Sequence, residues 1–114
     1  LFFVHGESDA INKNTKYTEQ VEEYRLLLGG LPLYISNVGY YREDLKVTRP
    51  DSIFDLITSQ VYAEVKVNDN WFLTFDDAKW FAEWGMLTWD GIHFNDEGCE
   101  LLMGAFVDKV QVKR

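Results

Sequence analysis

The sequence predicts an α/β protein with a mainly parallel sheet covered by helices on both faces. Three features of the 114 residues carry this expectation. Short apolar runs bounded by Gly, Pro, Asn or Asp, at 1–4, 33–38 and 71–75, read as buried strands. Longer segments with apolar residues one helical turn apart follow them. The two kinds of segment alternate, and parallel neighbours need a crossover connection that is usually a helix.

Taken in order, Leu1, Phe2, Phe3 and Val4 form a run too short for a helix and ended by Gly6, a strand feeding a loop. Tyr17, Val21, Tyr24 and Leu28 recur at helical spacing, and Gly29 with Gly30 supplies a C-terminal stop. Pro32 opens the second strand, which ends at Gly39 and gives way to a polar stretch over 40–49. Pro50 suits the first turn of a helix marked by Ile53, Ile57 and Val61, and that pattern fades at Asn68, Asp69 and Asn70. The third strand is 71–75. Residues 76–90 are expected to be irregular with a short helical piece, since Trp80 and Trp84 lie one turn apart. Asn95 is the cap of a last helix, with Asp96 and Glu97 complementing its dipole. Its expected apolar face is Cys99, Leu102, Met103, Phe106 and Val110, which leaves Cys99 buried and inert. Three strands make a thin sheet, so further strands are expected beyond these residues. No repeat, low-complexity tract or linker marks a domain boundary.

A composition of 46% hydrophobic and 26% charged residues with 2 Pro supports a packed core and excludes disorder. Eleven Lys and Arg against 19 Asp and Glu give a net charge of −8. Such a field repels phosphate backbones and anionic lipid heads, so neither nucleic acid nor a membrane is an expected partner. The single cysteine, Cys99, excludes an internal disulfide and leaves both exported and cytoplasmic locations open. The apolar start lacks the basic lead-in of a signal peptide, and no run approaches about 18 apolar residues, so a soluble chain is expected. Beginning without Met inside an apolar run, it reads as part of something longer.

Two polar loops follow strands, at the edge where parallel sheets bind ligands. The first is His5, Gly6, Glu7, Ser8, Asp9 and Ala10, a cluster that taken by itself is more often turn chemistry with a helix cap than a site. In the second, Asp90 precedes His93 by three residues in a turn containing Gly91. A carboxylate so placed can hold the inner imidazole nitrogen, fix its tautomer and stabilise the imidazolium formed when the ring takes a proton.

Together the two blocks resemble the carbohydrate acetylesterase branch of the SGNH/GDSL hydrolases, which includes sialate O-acetylesterases and acetylxylan esterases. The matching residues are Gly6, Glu7, Ser8, Asp9 and Ala10, then Asp90, Gly91, Ile92, His93 and Phe94, with Gly98 after them. The resemblance implies a flavodoxin-like three-layer α/β/α sandwich of which this chain is the carboxyl-terminal half. It also implies acetyl transfer to water by a serine nucleophile, with an acetylated carbohydrate as substrate and no cofactor or metal. His93 matches the general base and Asp90 its partner. Gly6 matches an oxyanion-hole donor. His5 stands where the family has Gln, as a second donor candidate, with Ser8 the alternative. Glu7 is either a second carboxylate for His93 or a bond to the neighbouring loop's backbone.

The family's Gly-x-Ser nucleophile block has no counterpart here. Ser8 mimics it but belongs to the other block, and Ser36, Ser52 and Ser59 fall in or at a predicted strand or helix. The nucleophile is therefore expected in a missing N-terminal half of the domain, the chain's implied partner. Two other classes compete. His5, Glu7, Asp9, Asp90 and His93 could assemble a nitrogen and oxygen metal site. A non-catalytic carbohydrate-binding or assembly remnant is the other. The tryptophans at 71, 80, 84 and 89 are expected in core and loop cover, or as a sugar-facing wall.

Overall fold

The computed structural model describes residues 2–3 and 7–113, with side chains from 9 to 111. Its strands are β1 (Phe2–Phe3), β2 (Leu33–Ser36) and β3 (Trp71–Phe75), and its helices are α1 (Glu7–Ile11), α2 (Tyr17–Leu27), α3 (Asp51–Val67) and α4 (Asp96–Lys113). Turns of tighter helix cover Glu43–Leu45 and Ala78–Trp80. Leu1 and Val4, the ends of the first predicted strand, lie outside the described residues. The expected order holds, with one addition: the loop drawn after β1 contains α1, which packs on α3 through a fully buried Ala10.

The sheet is parallel throughout, in the order β1, β2, β3. Strand alternation sends Leu33 and Ile35 to one face and Tyr34 to the other. Leu33 and Ile35 join Trp71, Val21 of α2 and Phe54, Ile57 and Val61 of α3 in the main core. On the opposite face Tyr34 stacks on Phe72 at 5.1 Å and meets Phe106 of α4 edge-on at 5.5 Å. Between Ile35 and Ser36 the register slips past Thr74. Thr74 Oγ1 donates to Ile35 O at 3.1 Å, and pairing resumes when Asn37 N donates to Phe75 O at 3.0 Å.

Two helix faces differ from expectation. In α2 the buried residues are Tyr17, Val21 and Arg25, while Tyr24 and Leu28 are exposed. The reason is a polar anchor that hydropathy cannot register. Arg25 donates to both oxygens of Glu22 and, through Nη1, to Gly30 O at 2.7 Å and Leu31 O at 3.2 Å. Glu22 Oε2 also accepts Trp71 Nε1 at 2.5 Å. One ion pair thus ties the end of α2 to the entries of β2 and β3, and Arg25 holds the Glu22 carboxyl below its ordinary range. In α4, Leu102 is buried but Cys99 and Met103 are exposed, which corrects the expected burial of Cys99. The inward stripe starts instead at Gly98, where a Cβ would stand 3.0 Å from Met86 O and 3.3 Å from the Phe81 ring. Asn95 caps α4 as expected, its Oδ1 accepting Gly98 N at 3.0 Å.

Among the described residues, no helix is long and apolar enough to cross a membrane. Phe54 is fully buried against Tyr41, with ring centroids 4.9 Å apart. Phe54→Ala is expected to cost about 3–5 kcal/mol in urea unfolding, whereas Tyr24→Ala is expected to change stability by no more than about 0.5 kcal/mol.

Candidate active site

The Asp90 and His93 loop is a tight reversal of chain set on a small core of its own. Leu87 and Phe94 pair antiparallel across its base. Asn95 N donates to Met86 O and Thr88 N to His93 O, both at 2.8 Å. Phe94 meets the fully buried Phe81 edge-on at 4.8 Å, and Ala78 and Leu102 complete that cluster. Gly39 comes so close that a Cβ there would lie 3.1 Å from the Phe94 ring and 2.8 Å from Ala78 O.

At the tip, Gly91 adopts φ +73°, and a Cβ on it would fall 2.8 Å from Cβ of Arg42. Both facts demand glycine. Arg42 braces the tip from behind: its N–H donates to Gly91 O at 3.0 Å and its Nη1 to Trp89 O at 2.9 Å. Asp44 orients that guanidinium through contacts of 2.6 and 3.0 Å. This turn aims Asp90 into a ring of donors. Oδ1 accepts Thr88 Oγ1 at 2.6 Å, Ile92 N at 2.9 Å and His93 N at 3.1 Å, while Oδ2 lies 2.6 Å from His93 Nδ1. The Thr88 hydroxyl, then the His93 ring and the Ile92 N–H, hold the Asp90 carboxyl far below the usual carboxylate range. An ionised Asp90 accepts only, so Nδ1 carries the proton of the neutral ring and Nε2 is left with its lone pair. The His93 side chain is 76% exposed and that of Asp90 24%, so the imidazole faces outward from a more sheltered carboxylate.

Asp90 and His93 are thus brought together as the sequence suggests. His5 and Gly6, the first two oxyanion candidates, lie outside the described residues. Glu7 and Ser8 begin α1, and their side chains are also outside the description. Asp9 is engaged by Asn14 Nδ2 at 2.7 Å. Among the described residues, no three His, Cys, Asp or Glu side chains converge as a metal site. Ser36 is buried with its hydroxyl near Asn37 O and Phe75 O, and Ser52 and Ser59 lie on α3. Only Trp71 serves the core. Trp80, Trp84 and Trp89 are 41%, 48% and 90% exposed and so lie outside the core, while Trp84 still covers the Phe81 ring at 6.1 Å.

Sequence reasoning missed Thr88 and Arg42. A threonine two residues before an aspartate in a glycine turn is a readable signal for the first, whereas Arg42 is remote in sequence and has none. Comparison with protein families, curated proteins and solved structures finds no match to this chain.

Two outcomes are expected from this geometry. Gly91→Ala should lower stability by about 1–2 kcal/mol from the left-handed backbone, with a further loss from the Arg42 clash, measured by chemical unfolding. The folded-state pKa of Asp90 is depressed, so its stabilisation of the loop is present above about pH 4 and lost as pH falls toward the depressed value. Amide shifts of Ile92 and His93 should report that transition on acidification, and Asp90→Asn should remove it.

Proposed function

We propose that this chain carries the general base and its acid partner of an SGNH-type carbohydrate O-acetylesterase with a flavodoxin-like three-layer fold. The observation that carries the reading is the 2.6 Å contact between Asp90 Oδ2 and His93 Nδ1, made by a carboxylate that Thr88 and two backbone N–H groups already hold ionised. A purely structural ion pair has no use for a fixed tautomer with an outward, exposed Nε2. The parallel sheet with helices meeting both faces is compatible with that fold class.

In the proposed reaction His93 Nε2 accepts the hydroxyl proton of a serine as its Oγ bonds to the acetyl carbonyl carbon. Asp90 stabilises the imidazolium, and the proton passes to the departing sugar oxygen as the ester bond breaks. Water repeats the sequence on the acetyl-serine and releases acetate. In this reading the serine comes from outside these 114 residues, since Ser36 is buried, Ser52 and Ser59 lie on α3, and Ser8 belongs to the block that the resemblance assigns to the oxyanion hole. Gly6 and either His5 or Ser8 supply the oxyanion donors, each such donor being worth about 3–4 kcal/mol in the transition state.

The purified chain is accordingly expected to hydrolyse a simple acetyl ester no faster than free imidazole. In an assembly that includes the serine segment, His93→Ala should remove nearly all acceleration, and Asp90→Asn should reduce turnover by about ten-thousandfold through the wrong tautomer. An organophosphorus probe applied to that assembly should label a serine outside residues 1–114. Peptide mapping that finds the adduct on Ser8, lost in Ser8→Ala, overturns the assignment.

A further inference from the structure

A cavity of about 360 Å³ opens where the chain leaving β2 and β3 meets α3, lined among others by Tyr40, Asp55, Thr58, Tyr62, Asp76 and Lys79. The carboxyl ends of parallel strands are where such sheets bind ligands. Tyr40 donates its hydroxyl proton to Asp55 Oδ1 at 2.5 Å, and Tyr62 donates to Asp76 Oδ2. Burial and then the Asp76 carboxylate push the Tyr62 hydroxyl up to about 12, so its proton stays in place at neutral pH. Asp76 Oδ1 accepts Asn37 Nδ2 at 2.6 Å. Asn37 is only 3% exposed, and turning its amide nitrogen to the carboxylate leaves Oδ1 without a partner among the described residues.

With both phenol protons committed, the cavity offers a ligand two carboxylates and two phenol oxygens as acceptors, against the Lys79 ammonium and the Thr58 and Ser59 hydroxyls as donors. That balance suits a ligand dense in O–H donors. Two carboxylates facing one ammonium oppose an anionic one. The cavity shares Tyr40 and Lys79 with a second hollow lined by Arg42 and Trp80, and Arg42 is the residue that braces the Asp90 turn. The cavity thus adjoins a hollow that reaches the residue bracing that loop.

We infer that this cavity is a subsite for an uncharged saccharide unit of the glycan whose ester His93 addresses. That the ligand is a saccharide rests on the esterase reading; that it is uncharged rests on the cavity. Titration of the 114-residue chain with xylotetraose, cellotetraose and 3′-sialyllactose, read by amide NMR and calorimetry, tests it without catalysis. A neutral oligosaccharide should shift amides of residues 55–62 and 76–79, and the sialyl sugar should not. Tyr62→Phe and Asp55→Asn, at accessible positions whose fold the same spectra check, should weaken binding about tenfold. His93→Ala should leave it unchanged. Sialyllactose binding as tightly as the neutral sugars, shifts confined to other residues, or no binding of the neutral sugars at about 10 mM overturns the subsite. Saccharide binding by the chain, together with no esterase activity in an assembly that includes the serine segment, upholds the subsite and removes only the catalytic reading.

Discussion

The left-handed backbone at Gly91 is the constraint on which the site depends. With φ at +73° and Arg42 packed where a Cβ would stand, the chain turns sharply enough for one carboxylate to reach the Thr88 hydroxyl, two backbone N–H groups and the His93 ring together. Any other residue there must move the turn or Arg42. An exposed ion pair contributes little to folding, so the value of this arrangement lies in the tautomer it selects rather than in stability.

The loop stands on the smaller of two apolar clusters. The larger, built on Leu33, Ile35 and Trp71 against α2 and α3, sets the sheet, and the Glu22 and Arg25 pair fixes how α2 joins it. The smaller gathers Phe81, Ala78, Leu102 and Phe94, and Gly98, with no side chain, lets α4 approach it closely. The sheet thereby fixes the Asp90 and His93 loop at one remove, through Phe75 leading into the turn at Ala78 and the ring of Phe81.

Elements whose folding is governed by apolar spacing were legible in the sequence. β3 spans the predicted residues, α3 ends where Asn68, Asp69 and Asn70 interrupt the pattern, and Asn95 caps α4. Faces set by polar anchors or by a missing side chain were not. Arg25 displaces Tyr24 from the core because its charge is matched by Glu22 and two carbonyls, and Gly98 carries no hydropathy to mark it as the inward position. Asp90 and His93 were found because their spacing is local. Arg42 was not, since the carbonyls it braces, those of Trp89 and Gly91, lie more than forty residues on. The first block was read as a loop, but part of it is α1, a helix too short for periodicity to reveal.

The most direct test of the central claim is the protonation pattern of the His93 ring, read from long-range proton–nitrogen correlations at about pH 8, where an ordinary imidazole is neutral. A His5→Gln variant assigns the signals. The account expects the proton on Nδ1 and the lone pair on Nε2 in the wild-type chain, with the ring reverting to the Nε2–H form in Asp90→Asn. A wild-type ring in the Nε2–H form, or one indifferent to Asp90, contradicts it.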